Sequence, residues 1–188
     1  MPERALVVID IQNDYFPGGA MELEGADAAA ANASRALARA RQEDLPVFHV
    51  RHLSTRPGAT FFIPGTRGAE IHAAVRPQSG ERVIEKNFPN SFRGTELERA
   101  LKDAGVKELV VAGMMTHMCV DTTVRAAADL GFACSLAADG CATRALQFAG
   151  RNVEAEQVQL AYLAGLDGAF AAVRPTGELC AALAQPAA

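Results

Sequence analysis

Three residues, Asp10, Lys86 and Cys119, have the types and the setting to carry chemistry. Val106, Leu109, Val110, Val111 and Ala112 form the short apolar run of a strand covered on both faces, and Gly113 breaks it. From about His117 the apolar spacing becomes helical, with Val120, Val124, Ala127 and Ala128 on one side and Gly131 where a helix stop belongs. Cys119 is therefore expected in the first turn of a helix, directly beyond the carboxyl end of a buried strand. Unpaired N–H groups and the positive end of the helix dipole favour an anion there, so the expected form of Cys119 is the reactive thiolate. Position alone also allows an inert buried cysteine. Cys134, Cys141 and Cys180 lack the strand-to-helix setting and read as structural.

Asp10 closes the apolar run from Ala5 to Ile9, and Lys86 directly follows a short strand from Arg82 to Glu85. A cation beside Cys119 would favour its thiolate, and a carboxylate could take the thiol proton and hand it to a leaving amine. The turn from Gly113 to Cys119 could aim backbone N–H groups at a developing oxyanion. Taken singly, Asp10 could cap a helix, Lys86 could be surface charge and Cys119 core, or Asp10 and Lys86 could form a structural ion pair.

The rest of the chain supplies the elements that must position these groups. After Asp10 comes a loop, DIQNDYFPGG, closed by the Pro17-Gly18-Gly19 turn signal. Ala26 to Arg41 reads as a helix with a mainly alanine buried side and Leu37, and Pro46 to His52 as a second strand. Leu53 to Gly80 is a long connection with room for a short helix near Ala69 to Val75. Loops of that length tend to be lids or binding walls, and Phe61 and Phe62 could face a pocket or pack beneath the loop. Thr95-Glu96-Leu97-Glu98 is a capping box for a helix whose stripe is Leu97, Ala100, Leu101 and Ala104. Phe132 to Ala137 is a fifth strand, Val153 to Leu163 a helix, Ala169 to Val173 a sixth strand, and Thr176 opens a final helix to about Leu183. This alternation predicts an α/β fold, a three-layer α/β/α Rossmann-like arrangement around a mainly parallel six-stranded sheet. Ligands in such folds bind beyond the carboxyl ends of the strands, which is where Asp10, Lys86 and Cys119 all fall.

Composition narrows the function classes. The 188 residues, 49% hydrophobic, can bury one good core and no linker divides them, so residues 1–188 read as one domain. A net charge of −4 carries no electrostatic footprint for nucleic acid. No apolar run approaches the roughly 18 residues of a membrane span, and the start MPERALVVID lacks a signal-peptide layout. Four cysteines without framework spacing suit a reducing cytoplasm. A dinucleotide-binding oxidoreductase should show G-x-G-x-x-G where this chain has DIQNDYFPGG, which removes that class.

Together VVIDIQNDYF, VIEKNFPNSF and VVAGMMTHMCVDTTVRAAADLG resemble the isochorismatase-like cysteine hydrolase superfamily, which includes nicotinamidases and N-carbamoylsarcosine amidases. The resemblance runs from about Ala5 to Gly140, with FAAVRPTGEL more weakly similar. It implies a catalytic triad of Asp10, Lys86 and Cys119, a cis peptide between Met114 and Met115, and an oxyanion hole of the Met115 and Cys119 N–H groups. It also implies a small-molecule substrate, no cofactor and a homo-oligomer, dimer or tetramer. Nicotinamidases of this kind carry an Asp-x-His metal motif after the second strand, whereas this chain reads HVRHLS. His49 and His52, three apart in a strand, point to opposite faces, so no metal is expected, with His49 packed and His52 facing the loop. True isochorismatases generally lack the nucleophilic cysteine. Both named activities are weakened, and hydrolysis of an amide or ureido C–N bond is expected, with an isochorismatase-type vinyl-ether hydrolase, a nicotinamidase or a catalytically silent binding module of the same fold as alternatives. Tyr15, Phe16, Asn87, Phe88, Phe92 and His117 are the candidate pocket walls, a mixed lining suited to a small, partly planar substrate.

Overall fold

The computed structural model describes residues 3–184. Six parallel strands form the central sheet: β1 (Arg4–Ile9), β2 (Val47–His52), β3 (Arg82–Lys86), β4 (Glu108–Met114), β5 (Ala133–Ala142) and, after a hairpin described below, β8 (Ala172–Arg174). Their order is β3-β2-β1-β4-β5-β8, so the chain winds outward from β1 in one direction, then returns to place β4 on its other side. The carboxyl ends of β1 and β4 thus flank the point where strand order reverses, the usual binding crevice of such sheets.

Alternation along β1 shows why both faces are covered. Leu6 and Val8 join one buried cluster, Ala5, Val7 and Ile9 the other. Helix α1 (Ala26–Gln42) covers the first face with Ala29, Ala30, Ala33, Ala36, Leu37 and Ala40, small side chains that bring the helix close to the sheet, and α5 (Thr176–Leu183) packs beside it. Helices α2 (Leu97–Asp103), α3 (Asp121–Asp129) and α4 (Ala155–Leu166) lie on the opposite side.

Several boundaries differ from expectation for local reasons. The Leu53 to Gly80 connection contains two 3₁₀ turns, Arg67–Ala69 and Ala73–Val75, in place of one short helix. The Thr95 hydroxyl accepts the Leu97 N–H, but Glu98 pairs with Lys102 one turn on, so the reciprocal half of the capping box is not made. β5 continues to Ala142, Arg144 to Val153 includes the antiparallel hairpin β6 (Leu146–Phe148) and β7 (Arg151–Val153), and the last strand starts at Ala172.

Gly113 is required where β4 meets β1. Its φ is +156°, and a Cβ there would lie 2.3 Å from the Ile9 carbonyl oxygen. The register between β4 and β5 also shifts between Val111 and Gly113, as at a β-bulge. Gly113→Ala should lower stability by at least about 2 kcal/mol, read as a lower urea midpoint. An unchanged midpoint would refute the close approach.

Candidate active site

Asp10 leaves β1 in the left-handed region, φ +50°, where its N–H still bonds the Val50 carbonyl at 3.0 Å. Aspartate tolerates this conformation better than most residues, and such backbone strain gathers at functional sites. Lys86 ends β3, paired in register with His52 at the end of β2. Beyond β4 the Met114–Met115 peptide is cis, and Thr116 to Val120 form a π turn that leads into α3. Cys119 lies in that π turn, two residues before α3 begins at Asp121.

These placements bring the three side chains together. Lys86 Nζ lies 2.6 Å from Asp10 Oδ2, 3.2 Å from Cys119 Sγ and 2.9 Å from His52 Nδ1. The Asp10–Lys86 contact is an ion pair rather than an aligned hydrogen bond, and Asp10 Oδ1 has no hydrogen-bond partner among the described residues. Asp10, Lys86 and Cys119 are all buried. Burial would lower the Lys86 ammonium, but the Asp10 carboxylate beside it raises it overall, so the cation persists.

The thiolate expected for Cys119 is not favoured. Burial, and then the Asp10 charge, push the thiol far above its usual range, and Lys86 only partly opposes them. A second anion in a dry site that already holds the Asp10 carboxylate outweighs one shared ammonium. The resting group is the thiol.

His52, expected to face the loop, is the residue that sequence reasoning missed. Its ring joins the site, and burial, then Lys86, lower its pKa to about 4. An ammonium can only donate, so Nδ1 accepts from Lys86 and the proton of the neutral ring sits on Nε2. Buried Gln12 fixes this strand end: its Oε1 accepts the His52 N–H at 2.7 Å, and its Nε2 donates to the His52 and Ala69 carbonyls at 2.9 Å each. A polar side chain two residues beyond a strand-end aspartate was the available signal. His49 points elsewhere, its Nε2 2.8 Å from Glu81.

Asp10, His52 and Cys119 offer one donor atom each within 4.8 Å of one another, a spacing that suits a metal ion. The Lys86 ammonium contacts all three at once, so a cation already occupies the point such an ion would take.

A pocket of about 310 Å³ opens above Cys119, lined in part by Tyr15, His52, Asn87 and Met115 and by the loop from Ser54 to Phe61. Of the expected wall residues, Tyr15 and Asn87 are there and four are not. Phe16 stacks on His72 with ring centroids 3.7 Å apart, Phe88 carries the Arg93 guanidinium, and Phe92 stacks against Phe132. His117 Nδ1 lies 2.5 Å from Thr143 Oγ1, with burial lowering its pKa. These rings lie close in sequence to Asp10, Lys86 or Cys119, but the backbone turns them into neighbouring packing layers.

With this geometry established, comparison with known proteins is decisive. The isochorismatase domain model matches residues 4–173. The chain belongs to the isochorismatase family. Among its family relatives, YddQ of Bacillus subtilis is 51% identical over 172 residues, covering 92% of this chain and 96% of that one. A crystal structure from Oleispira antarctica, assigned to the isochorismatase hydrolases, superposes with a TM-score of 0.92 at 48% identity, covering 95% and 96% of the two chains. Nicotinamidase 3 of Arabidopsis thaliana is 31% identical over 151 residues, 74% of this chain and 73% of its own length.

The His52 environment has a measurable consequence. Its folded pKa of about 4 lies below the ordinary 6.5, so between those values the unfolded chain binds a proton that the folded site refuses. Stability should fall as pH drops through this window, and ring nitrogen NMR should show a neutral Nε2–H form at pH 6. A His52 midpoint near 6.5 would contradict the buried contact with Lys86.

Proposed function

We propose that the chain is a cysteine-dependent hydrolase that cleaves an amide or ureido C–N bond of a small molecule through a thioester. The observation that carries this reading is the contact of one ammonium with both a carboxylate and a thiol, 2.6 and 3.2 Å away, beneath a pocket. The relative named nicotinamidase supports C–N bond hydrolysis as the reaction class.

Because the resting sulfur is protonated, proton transfer accompanies attack. Asp10 takes the Cys119 proton as Sγ forms its bond to the substrate carbonyl carbon. Lys86 holds the carboxylate in place before that transfer. The oxyanion is received by the N–H groups of Met115 and Cys119; among the described residues the Met115 N–H has no backbone acceptor. Asp10 then protonates the departing nitrogen as the C–N bond breaks, leaving a thioester. Water, giving its proton to Asp10, attacks the thioester carbon; the acid departs, and the returned proton restores the thiol.

A silent binding module would hold the same three residues without turnover, and substitution separates the two readings. Cys119→Ser and Asp10→Asn should each reduce ammonia release from small amides at least about 1,000-fold. Acid-quenched mass spectra of the unsubstituted protein during turnover should show a thioester on Cys119. Undiminished turnover in either variant would end the proposal.

A further inference from the structure

The pocket above Cys119 has one formally charged side chain in its lining, Arg56. The floor is electrically balanced, because the Asp10 carboxylate is met by the Lys86 ammonium, and His52 beside them is neutral. The Arg56 charge is therefore uncompensated where a ligand would sit, on a chain whose net charge is −4.

The backbone holds this residue in place. The Ala59 N–H donates to the Arg56 carbonyl at 3.2 Å, and Gly58 has φ +77°. Proline second and a positive-φ glycine third fit a type II turn, with Arg56 at its first corner. Arg51 at the end of β2 pairs with Glu85, whereas Arg144, whose charge also reaches Tyr15, bonds only the Ala145 carbonyl and does not line the pocket. Arg56 forms no ion pair or side-chain hydrogen bond among the described residues. Other groups on the same wall offer hydrogen bonds without charge, namely Ser54, Thr60 and the Nε2–H of His52.

We propose that Arg56 is the specificity residue of this pocket, and that the substrate carries a carboxylate remote from the bond to be cleaved. A guanidinium presents paired N–H groups that match the two oxygens of a carboxylate, and exposed Arg56 at the pocket rim can reach a ligand as it enters. Held at one end by Arg56, such a compound places its amide or ureido carbonyl toward Cys119. The assignment deepens the hydrolase reading and depends on it for the bond that is broken, but not for the anion site itself.

The test compares succinamate, with one carboxylate and one primary amide, with succinamide, its uncharged counterpart. Calorimetric titration of the Cys119→Ala protein measures binding without turnover. Succinamate should bind more tightly than succinamide, and adding Arg56→Ala should weaken succinamate roughly 10- to 100-fold, removing the preference. Arg56→Lys, which keeps the charge but not the fork, should retain part of it. In the catalytically intact chain, Arg56→Ala should reduce the ratio of kcat/KM for succinamate over succinamide by a similar factor. Equal or undetectable binding of the two compounds, or a preference that survives Arg56→Ala, overturns the proposal. A preference that depends on Arg56 without any ammonia release supports the anion site and counts against the hydrolase reading.

Discussion

A buried ammonium sets the terms for everything around it. Lys86 is 1% exposed, and each of its contacts answers a different demand: Asp10 neutralises it, His52 accepts from it, and Cys119 completes the set. Removing an isolated charge from water costs several kcal/mol, so the cation is tolerable only with its partners in place. The dependence runs both ways. Without the ammonium, Asp10 would be a carboxylate without a counter-ion, and the His52 tautomer would lose its reason. Cys119 thus belongs to a balanced group rather than standing as a lone activated sulfur.

The supports of this group come from the loop that follows β1. Gln12 ties the β2 end at His52 to the loop after β1, and Asp14 accepts the Phe62 N–H at 2.6 Å, holding Phe62 at φ +57°, a conformation that a bulky residue rarely adopts. Phe62 is fully buried against Tyr15, with ring centroids 4.6 Å apart. Gly68 approaches the same carboxylate so closely that a Cβ would lie 2.0 Å from Asp14 Oδ1. One short acidic turn therefore fixes the wall of the pocket through both backbone and ring contacts.

The sheet and its flanking helices were legible because their signals are local and repeated. Apolar runs such as Ala5 to Ile9 mark strands buried on both faces, and the alanines of α1 recur at helical spacing. Asp10, Lys86 and Cys119 stood out because each follows such a run. What escaped depends on contacts between distant segments. His52 looks like a loop residue until Lys86, thirty-four positions later, reaches its ring. The acidity of Cys119 was misjudged because a strand-to-helix position reports the local dipole but not the depth of burial or a neighbouring carboxylate. Phe16, Phe88 and Phe92 were placed by proximity in sequence, and side-chain direction after an irregular turn is set by packing that no periodicity encodes. The hairpin from Leu146 to Val153 is short, and its second strand is wholly exposed, so no buried pattern announces it.

The outermost position of β3 has a consequence for how this molecule would fail. Strand order leaves β3 bonded to β2 alone, with Arg82, Val83 and Glu85 exposed, yet its last residue delivers the cation on which the centre relies. Edge segments of this kind open at lower free energy than the interior strands β1 and β4. Warming would therefore detach the lysine and admit water to the aspartate while most of the sheet still stood. Loss of the centre would precede melting, with one edge of the sheet acting as its fuse.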